Sequence, residues 1–301
     1  MAAKEVKEFS SPDEAVRLLF GESVRITDSR RISGGDINEA FGLSLSNGDT
    51  IFMKRNRKEN RSFFDTEIAG LLAIHQTAAV GAPEILGIGT DEESHTSFLL
   101  LEFIRGGQRG RDYWEIFAKE LAGMHRAGTE SFVPGGKYGF TGDNYIGAGP
   151  QKNEARDSWV DFYRDCRLIP QLRRAEGYFS SDDRKKADRL LEHLDRYLTE
   201  PEKPSLLHGD LWSGNVITGN DGKAWLIDPA VYVGHAETDI AMTELFGGFS
   251  GAFYAAYKEK GLMQPGYPER RDLYQLYHLL NHLNLFGGSY LHSVRRILQE
   301  Y

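Results

Sequence analysis

The chain has 301 residues, 40% of them hydrophobic and 27% charged, which is ordinary for a globular protein and long enough for one large domain or two lobes with their own cores. A net charge of −8 argues against a nucleic-acid binder that relies on a basic surface. The one cysteine, Cys166, rules out an internal disulfide, and no run of residues is long enough for a membrane helix.

Met1-Ala2-Ala3-Lys4-Glu5 has no apolar segment behind it to act as a signal peptide, so the expected localisation is cytoplasmic. Ser11-Pro12-Asp13-Glu14 then opens a helix, with a capping hydroxyl, a proline in the first turn and acids at the positive end of the dipole. Val16, Leu18, Leu19 and Phe20 give it an apolar side to pack on a sheet, and Gly21 ends it. Three strand-like runs follow, over 24–32, 39–46 and 50–54, with a hairpin signal at Asn47-Gly48-Asp49. Between the first two, Gly34 and Gly35 make a turn whose backbone N–H groups can approach phosphate oxygens without a Cβ in the way. A plain hairpin would use the same residues. Lys54 ends the third strand, and the helical period over 63–72 carries an acid to pair with it. Glu67 is preferred on register, with Asp65 the competitor. Strands are expected over 82–89 and 97–104, the second running out through Glu102, Phe103 and Ile104 into Arg105-Gly106-Gly107.

Asp112 begins a helix through His125, with Ile116, Phe117, Leu121 and Met124 at helical spacing and His125 structural. The segment 137–153 is rich in glycine, amides and aromatics and precedes a helix over 158–163. Amides pair with hydroxyls and aromatic faces cover the apolar side of a sugar, which makes Asn144 and Tyr145 candidate substrate contacts. Composition alone fits a surface loop equally well. Ser181-Asp182-Asp183 caps a helix through Leu198, and the chain ends in a helical stretch over 273–298. Cys166 reads as a buried thiol. His278, His282 and His292 read as core histidines, because no cysteine or H-E-x-x-H pattern accompanies them.

Between these helices lies His208-Gly209-Asp210-Leu211-Trp212-Ser213-Gly214-Asn215, then a short β-like run, then Ile227-Asp228-Pro229. Two carboxylates and a carboxamide in this order are what phosphoryl transfer needs: an acid for the proton of the attacking hydroxyl, and oxygen donors to hold Mg²⁺ against nucleotide phosphates. The pattern resembles the catalytic and metal-binding segments of protein-kinase-like enzymes, in the dialect of their small-molecule relatives. That resemblance implies an α+β, bilobal protein-kinase-like fold, with an N-terminal antiparallel sheet lobe (1–104, nucleotide-binding) and a mainly helical C-terminal lobe (105–301, catalytic and substrate-binding). It also implies that Lys54 touches the α/β phosphates with Glu67 aligning it, and that Glu102, Phe103 and Ile104 form the hinge beside adenine. A plain linker between lobes would look the same. Asp239 stands where it could brace the catalytic loop.

Beyond the shared kinase signature, the segments 208–216, 228–249, 143–172 and 273–288 are similar to the fructosamine (ketosamine) kinase family, and the likeness covers almost the whole chain. It implies an ATP- and Mg²⁺-dependent phosphorylation of a sugar hydroxyl on a fructosamine or ribulosamine, which destabilises the adduct and frees the amine. Its partners would be small ketosamines or glycated proteins, with no nucleic acid and no membrane. Carried over by position, Asp210 is the expected catalytic base, Asn215 and Asp228 the metal ligands, Trp212 a wall of the sugar pocket, and His208 a hydrogen-bonding partner of the Asp228 segment. Some relatives carry a redox-linked cysteine in the phosphate loop. Here the loop reads Ser33-Gly34-Gly35-Asp36-Ile37, so no thiol switch is expected. Two other functions fit the pattern: a kinase for another hydroxylated amine of the aminoglycoside or choline type, and a nucleotide-binding pseudokinase.

Overall fold

The computed structural model describes residues 6–32 and 37–301; the turn with Gly34 and Gly35 lies outside them. The first half alternates short strands with two helices: β1 (Glu8–Phe9), α1 (Pro12–Phe20), β2 (Ile26–Ile32), β3 (Glu39–Leu45), β4 (Thr50–Arg57), α2 (Arg61–Thr77), β5 (Ile85–Asp91) and β6 (Thr96–Glu102). The Ser11 hydroxyl caps α1 by accepting from the Glu14 N–H at 3.1 Å. The strands form one sheet in the order β1-β5-β6-β4-β3-β2. All neighbours are antiparallel except the two-residue β1, which adds to β5 in parallel. So short a strand has no periodicity of its own to betray it.

The period-2 alternation of β6 assigns its side chains to two faces. Phe98 and Leu100 join Ala15 and Val16 of α1 with Leu43, Leu45, Ile51 and Met53. Leu99 and Leu101 face the other way, into a core with Phe64, Ile68 and Leu71 of α2. Met53 therefore points to α1, and its neighbour Lys54 to α2.

The second half contains α3 (Tyr113–His125), a hairpin of β7 (Asn144–Ile146) and β8 (Gly149–Gln151), α4 (Trp159–Phe162), α5 (Ile169–Arg174), α6 (Ser181–Glu192), β9 (Ser205–Leu207), a hairpin of β10 (Val216–Thr218) and β11 (Ala224–Leu226), β12 (Tyr232–Gly234), α7 (Glu237–Leu245), α8 (Gly251–Lys258), α9 (Tyr267–Phe286) and α10 (Leu291–Glu300). A π-helical turn over Tyr163–Leu168 joins α4 to α5 and holds Cys166 buried, where burial pushes the thiol up in pKa. The expected final helix is two, because Gly287 (φ +90°) and Gly288 interrupt it. The helix begun at Ser181 stops at Glu192 and a 3₁₀ turn over Leu194–Arg196 carries on.

The α2 side of the sheet and the helices of the second half contribute to a single hydrophobic core, which runs from Phe64 and Leu99 to Leu280 and Leu298. No helix among the described residues is long and apolar enough to cross a membrane.

Candidate active site

On α2, Phe64, Glu67, Ile68 and Leu71 follow the i, i+3, i+4, i+7 spacing of one helix face, so Glu67 enters the same buried stripe as the apolar residues. Lys54 Nζ meets its Oε1 at 2.7 Å and, from across the molecule, Asp228 Oδ1 at 2.5 Å. Lys54 and Glu67 are buried, whereas the Asp228 side chain is 45% exposed. Burial alone would pull the Lys54 ammonium down, but Asp228 and Glu67 together outweigh it and hold the group above its usual range, fully charged. Burial likewise pushes the Glu67 carboxyl up, with Lys54 opposing. Asp65 instead points outward and pairs with Arg61 one turn back at 3.6 Å.

β9 and β12 pair antiparallel in the core, and the loop leaving β9 carries His208, Gly209 and Asp210. Gly209 has φ +81°, and a Cβ there would collide with the Ala230 carbonyl oxygen, so only glycine lets the loop close against the 228–230 segment. The Ala230 N–H donates to His208 O at 2.8 Å. Imidazole completes the contact: His208 Nε2–H donates to Ile227 O (2.9 Å), and Nδ1 accepts from the Asp210 N–H (3.2 Å). These roles define one neutral tautomer, and burial lowers the ring's pKa accordingly.

Asp239, in the first turn of α7, accepts the N–H groups of both His208 (2.8 Å) and Gly209 (2.9 Å). His125 Nε2 lies 3.1 Å from the same carboxylate, and His125 Nδ1 lies 2.6 Å from the Tyr257 hydroxyl. Burial raises the Asp239 carboxyl, but the His125 and His208 interactions outweigh it and the net shift is downward. The charged form is thereby favoured. Tyr257 had no local signal: a tyrosine on a short helix far along the chain shows its partner only once folded.

Asp210 and Asn215 form the next layer. Asn215 Nδ2 donates to Asp210 O (2.9 Å) and Oδ2 (3.2 Å). Burial pushes the Asp210 carboxyl up to about 7, against the Asn215 hydrogen bond and with help from Asp228 and Asp239. A carboxyl poised there suits proton transfer near neutrality. With Asn215 Nδ2 occupied, its carboxamide oxygen and the half-exposed Asp228 carboxylate are two hard oxygen donors. That set suits Mg²⁺, which is bound through one or two carboxylates plus phosphates and water. No cluster of three or more His, Cys, Asp or Glu able to hold a metal occurs among the described residues, so nucleotide and water would complete the shell.

At the end of β6, Glu102 donates its N–H to Glu84 O at 2.8 Å. Phe103 and Ile104 continue as irregular chain until Gly106 bridges Gly219. Trp212, two residues past Asp210, is 38% exposed, with its ring edge-on to Phe246 at 6.2 Å. Asn144 is buried, and its carboxamide is taken up internally: Nδ2 donates to Val231 O, and Oδ1 accepts from Gln151 and Asn153. Tyr145 stacks on Phe63 of α2 at 4.1 Å, and its hydroxyl lies 3.2 Å from that of Ser62. Their side chains are engaged by Val231, Gln151, Asn153, Phe63 and Ser62, on partners other than Trp212. Two surface hollows of 620 and 550 Å³ lie elsewhere, lined by residues such as Arg57 and His95 and by residues such as Arg164 and Leu191. Cavity shape alone would point away from this chemistry.

Residues 9–301 match the family model described as fructosamine kinase. A probable ketoamine kinase of Synechocystis sp. is 39% identical over 284 residues, which cover 93% of this chain and 92% of that protein. The chloroplastic protein-ribulosamine 3-kinase of Oryza sativa subsp. indica is 38% identical over 286 residues, covering 94% of this chain and 81% of that one. The crystal structure of a provisionally assigned fructosamine-3-kinase from Thermobifida fusca aligns at a TM-score of 0.82 and 30% identity, covering 97% of this chain and 98% of that one.

Proposed function

The chain belongs to the fructosamine kinase family, and from that membership we propose that it is an ATP-dependent kinase phosphorylating a sugar hydroxyl of ketosamines, fructosamines or ribulosamines, as the first step of a deglycation. The observation that supports this most is the approach of Lys54 to Asp228, 174 positions apart in sequence, beside the Asp210–Asn215 pair of the catalytic loop. We assign nucleotide contacts to residues 1–104 (Gly34, Gly35, Lys54, Glu67 and the hinge 102–104) and acceptor chemistry to residues 105–301.

In this mechanism Lys54 holds the α/β phosphates and Glu67 keeps it aligned. Asp210 orients the acceptor hydroxyl and takes its proton at a carboxylate oxygen as the γ-phosphoryl group transfers in line. Asn215 and Asp228 would hold Mg²⁺, whose contribution when bound is to neutralise phosphate charge. Most of the acceleration comes from positioning, for which the Asp239 fork under the loop is the means. Trp212 is assigned to the sugar. Asn144 and Tyr145 support the site from behind, given the partners their side chains already have. The lone, buried Cys166 accords with work in the cytoplasm.

ADP release measured over a panel of fructosamines, ribulosamines and aminoglycosides tests the assignment. Ketosamines should stimulate release in a Mg²⁺-dependent way and aminoglycosides should not; the opposite preference would overturn it.

A further inference from the structure

Six large hydrophobic side chains stand exposed among the described residues, and three of them, Trp212 (38%), Phe246 (40%) and Phe286 (54%), lie on one line of rings. Trp212 meets Phe246 edge-on at 6.2 Å, Phe246 meets His282 at 4.8 Å, and His282 meets Phe286 at 5.4 Å and Tyr290 at 5.1 Å. The line is held at Trp212 and at His282. Trp212 lies so close over Gly214 that a Cβ there would overlap its ring. His282 Nδ1–H donates to His278 O at 2.8 Å. The glycine break after Phe286 is followed by a 3₁₀ turn, Gly288–Tyr290, that brings Tyr290 back to the same imidazole.

We propose that Phe246 and Phe286, with Tyr290, form a subsite for an aromatic or apolar substituent carried on the amine of the ketosamine acceptor. The assignment deepens the kinase function proposed above and rests on it. Its ground is continuity with the catalytic loop: the strip starts two residues past Asp210 and passes through Phe246 and His282 to Phe286 and Tyr290. A ketosamine carries its amine on C1, at one end of the sugar. With a sugar hydroxyl at Asp210 and the ring against Trp212, the amine and its substituent run on towards Phe246. The protonated secondary amine is a cation suited to aromatic faces, and rigid two-torsion side chains offer contact area at small entropic cost. A substituent with no apolar surface gains nothing from Phe286.

The test is kcat/KM for the fructosamines of benzylamine and of glycine, measured on the wild type and on Phe246→Ala, Phe286→Ala and Leu18→Ala. Leu18 is the control, an exposed leucine on α1. The wild type should favour the benzylamine adduct. Each phenylalanine variant should lower the benzylamine-to-glycine ratio by about tenfold, mainly through KM, and Leu18→Ala should keep it. An unchanged ratio, equal losses on both substrates, or a change only in oligomeric state by light scattering would overturn the strip alone. Absence of ADP release by the wild type with any ketosamine would overturn the strip and the kinase assignment together.

Discussion

Lys54 is a buried cation between two carboxylates, and each side chain reached its place by a rule visible in sequence: the alternation of a strand for Lys54, the face of a helix for Glu67. The local part of the site was therefore legible. Asp210, Asn215 and Asp228 were legible for a related reason, since a loop, a hairpin and a loop keep fixed order and spacing. Asn144 was different. An amide in a glycine-rich segment has the same composition whether it meets a sugar or, as here, the Val231 carbonyl 87 positions away. Asp210→Asn should lower kcat by at least about a hundredfold with the KM for ATP nearly kept; steady-state kinetics showing retained turnover would reassign the base. Gly209→Ala should destabilise the fold by about 2 kcal/mol or more, from a positive φ combined with a backbone collision. Urea unfolding of the purified variant measures it.

Among the contacts that tie helix α2 to the second half of the chain, two lie close to Glu67. Phe63 and Ser62 meet Tyr145 of the β7–β8 hairpin, and Gly70 packs so closely on Pro229 and Val231 that a Cβ would be 3.2–3.3 Å from them. Both contacts steady the helix that carries Glu67. Tyr145→Ala should therefore raise the KM for ATP severalfold and leave kcat less affected. Tyr145→Phe, which keeps the ring stack, should restore most of the loss; equal behaviour of the two variants would place the effect on the hydroxyl. The β7–β8 hairpin was unreadable beforehand because its strands are three residues each and buried by amide hydrogen bonds, not by an apolar alternation. The break between α9 and α10 leaves no mark in the hydrophobic pattern, because the apolar periodicity continues on both sides of the two glycines.

At the scale of the molecule, one core joins the α2 face of the sheet to the C-terminal helices. Thermal unfolding should thus be a single transition, with calorimetric and van't Hoff enthalpies in agreement; two resolved transitions would mean that the lobes have separate cores. Composition permitted either arrangement, and only tertiary packing decides between them. Acid should weaken the fold in a defined window. Burial drops the His278 imidazole from 6.5 to about 3 and the His235 imidazole to about 4. Below pH 6.5 the unfolded chain takes up protons that the folded chain does not, so stability falls as pH falls, until each folded value is reached. The slope is up to about 1.4 kcal/mol per pH unit for each ring. Urea midpoints at pH 7.5 and 5.0 should differ in the wild type and differ less in His278→Gln.

The β10–β11 hairpin has a consequence for how this protein can vary. Val216 pairs with Leu226, and the Ile227 N–H donates to Asn215 O at 3.1 Å, so Asn215 and Asp228 flank the closed mouth of a zipper whose far end is the Gly219–Lys223 turn. Slipping one tooth would send Asp228 to the opposite side of the ribbon, whereas extra residues at the tip would lengthen the ribbon's end without moving its mouth. The chain at 106–110, which touches the tip through Gly106, Gly107 and Gly110, and Glu120, which pairs with Lys223 at 2.9 Å, would have to follow.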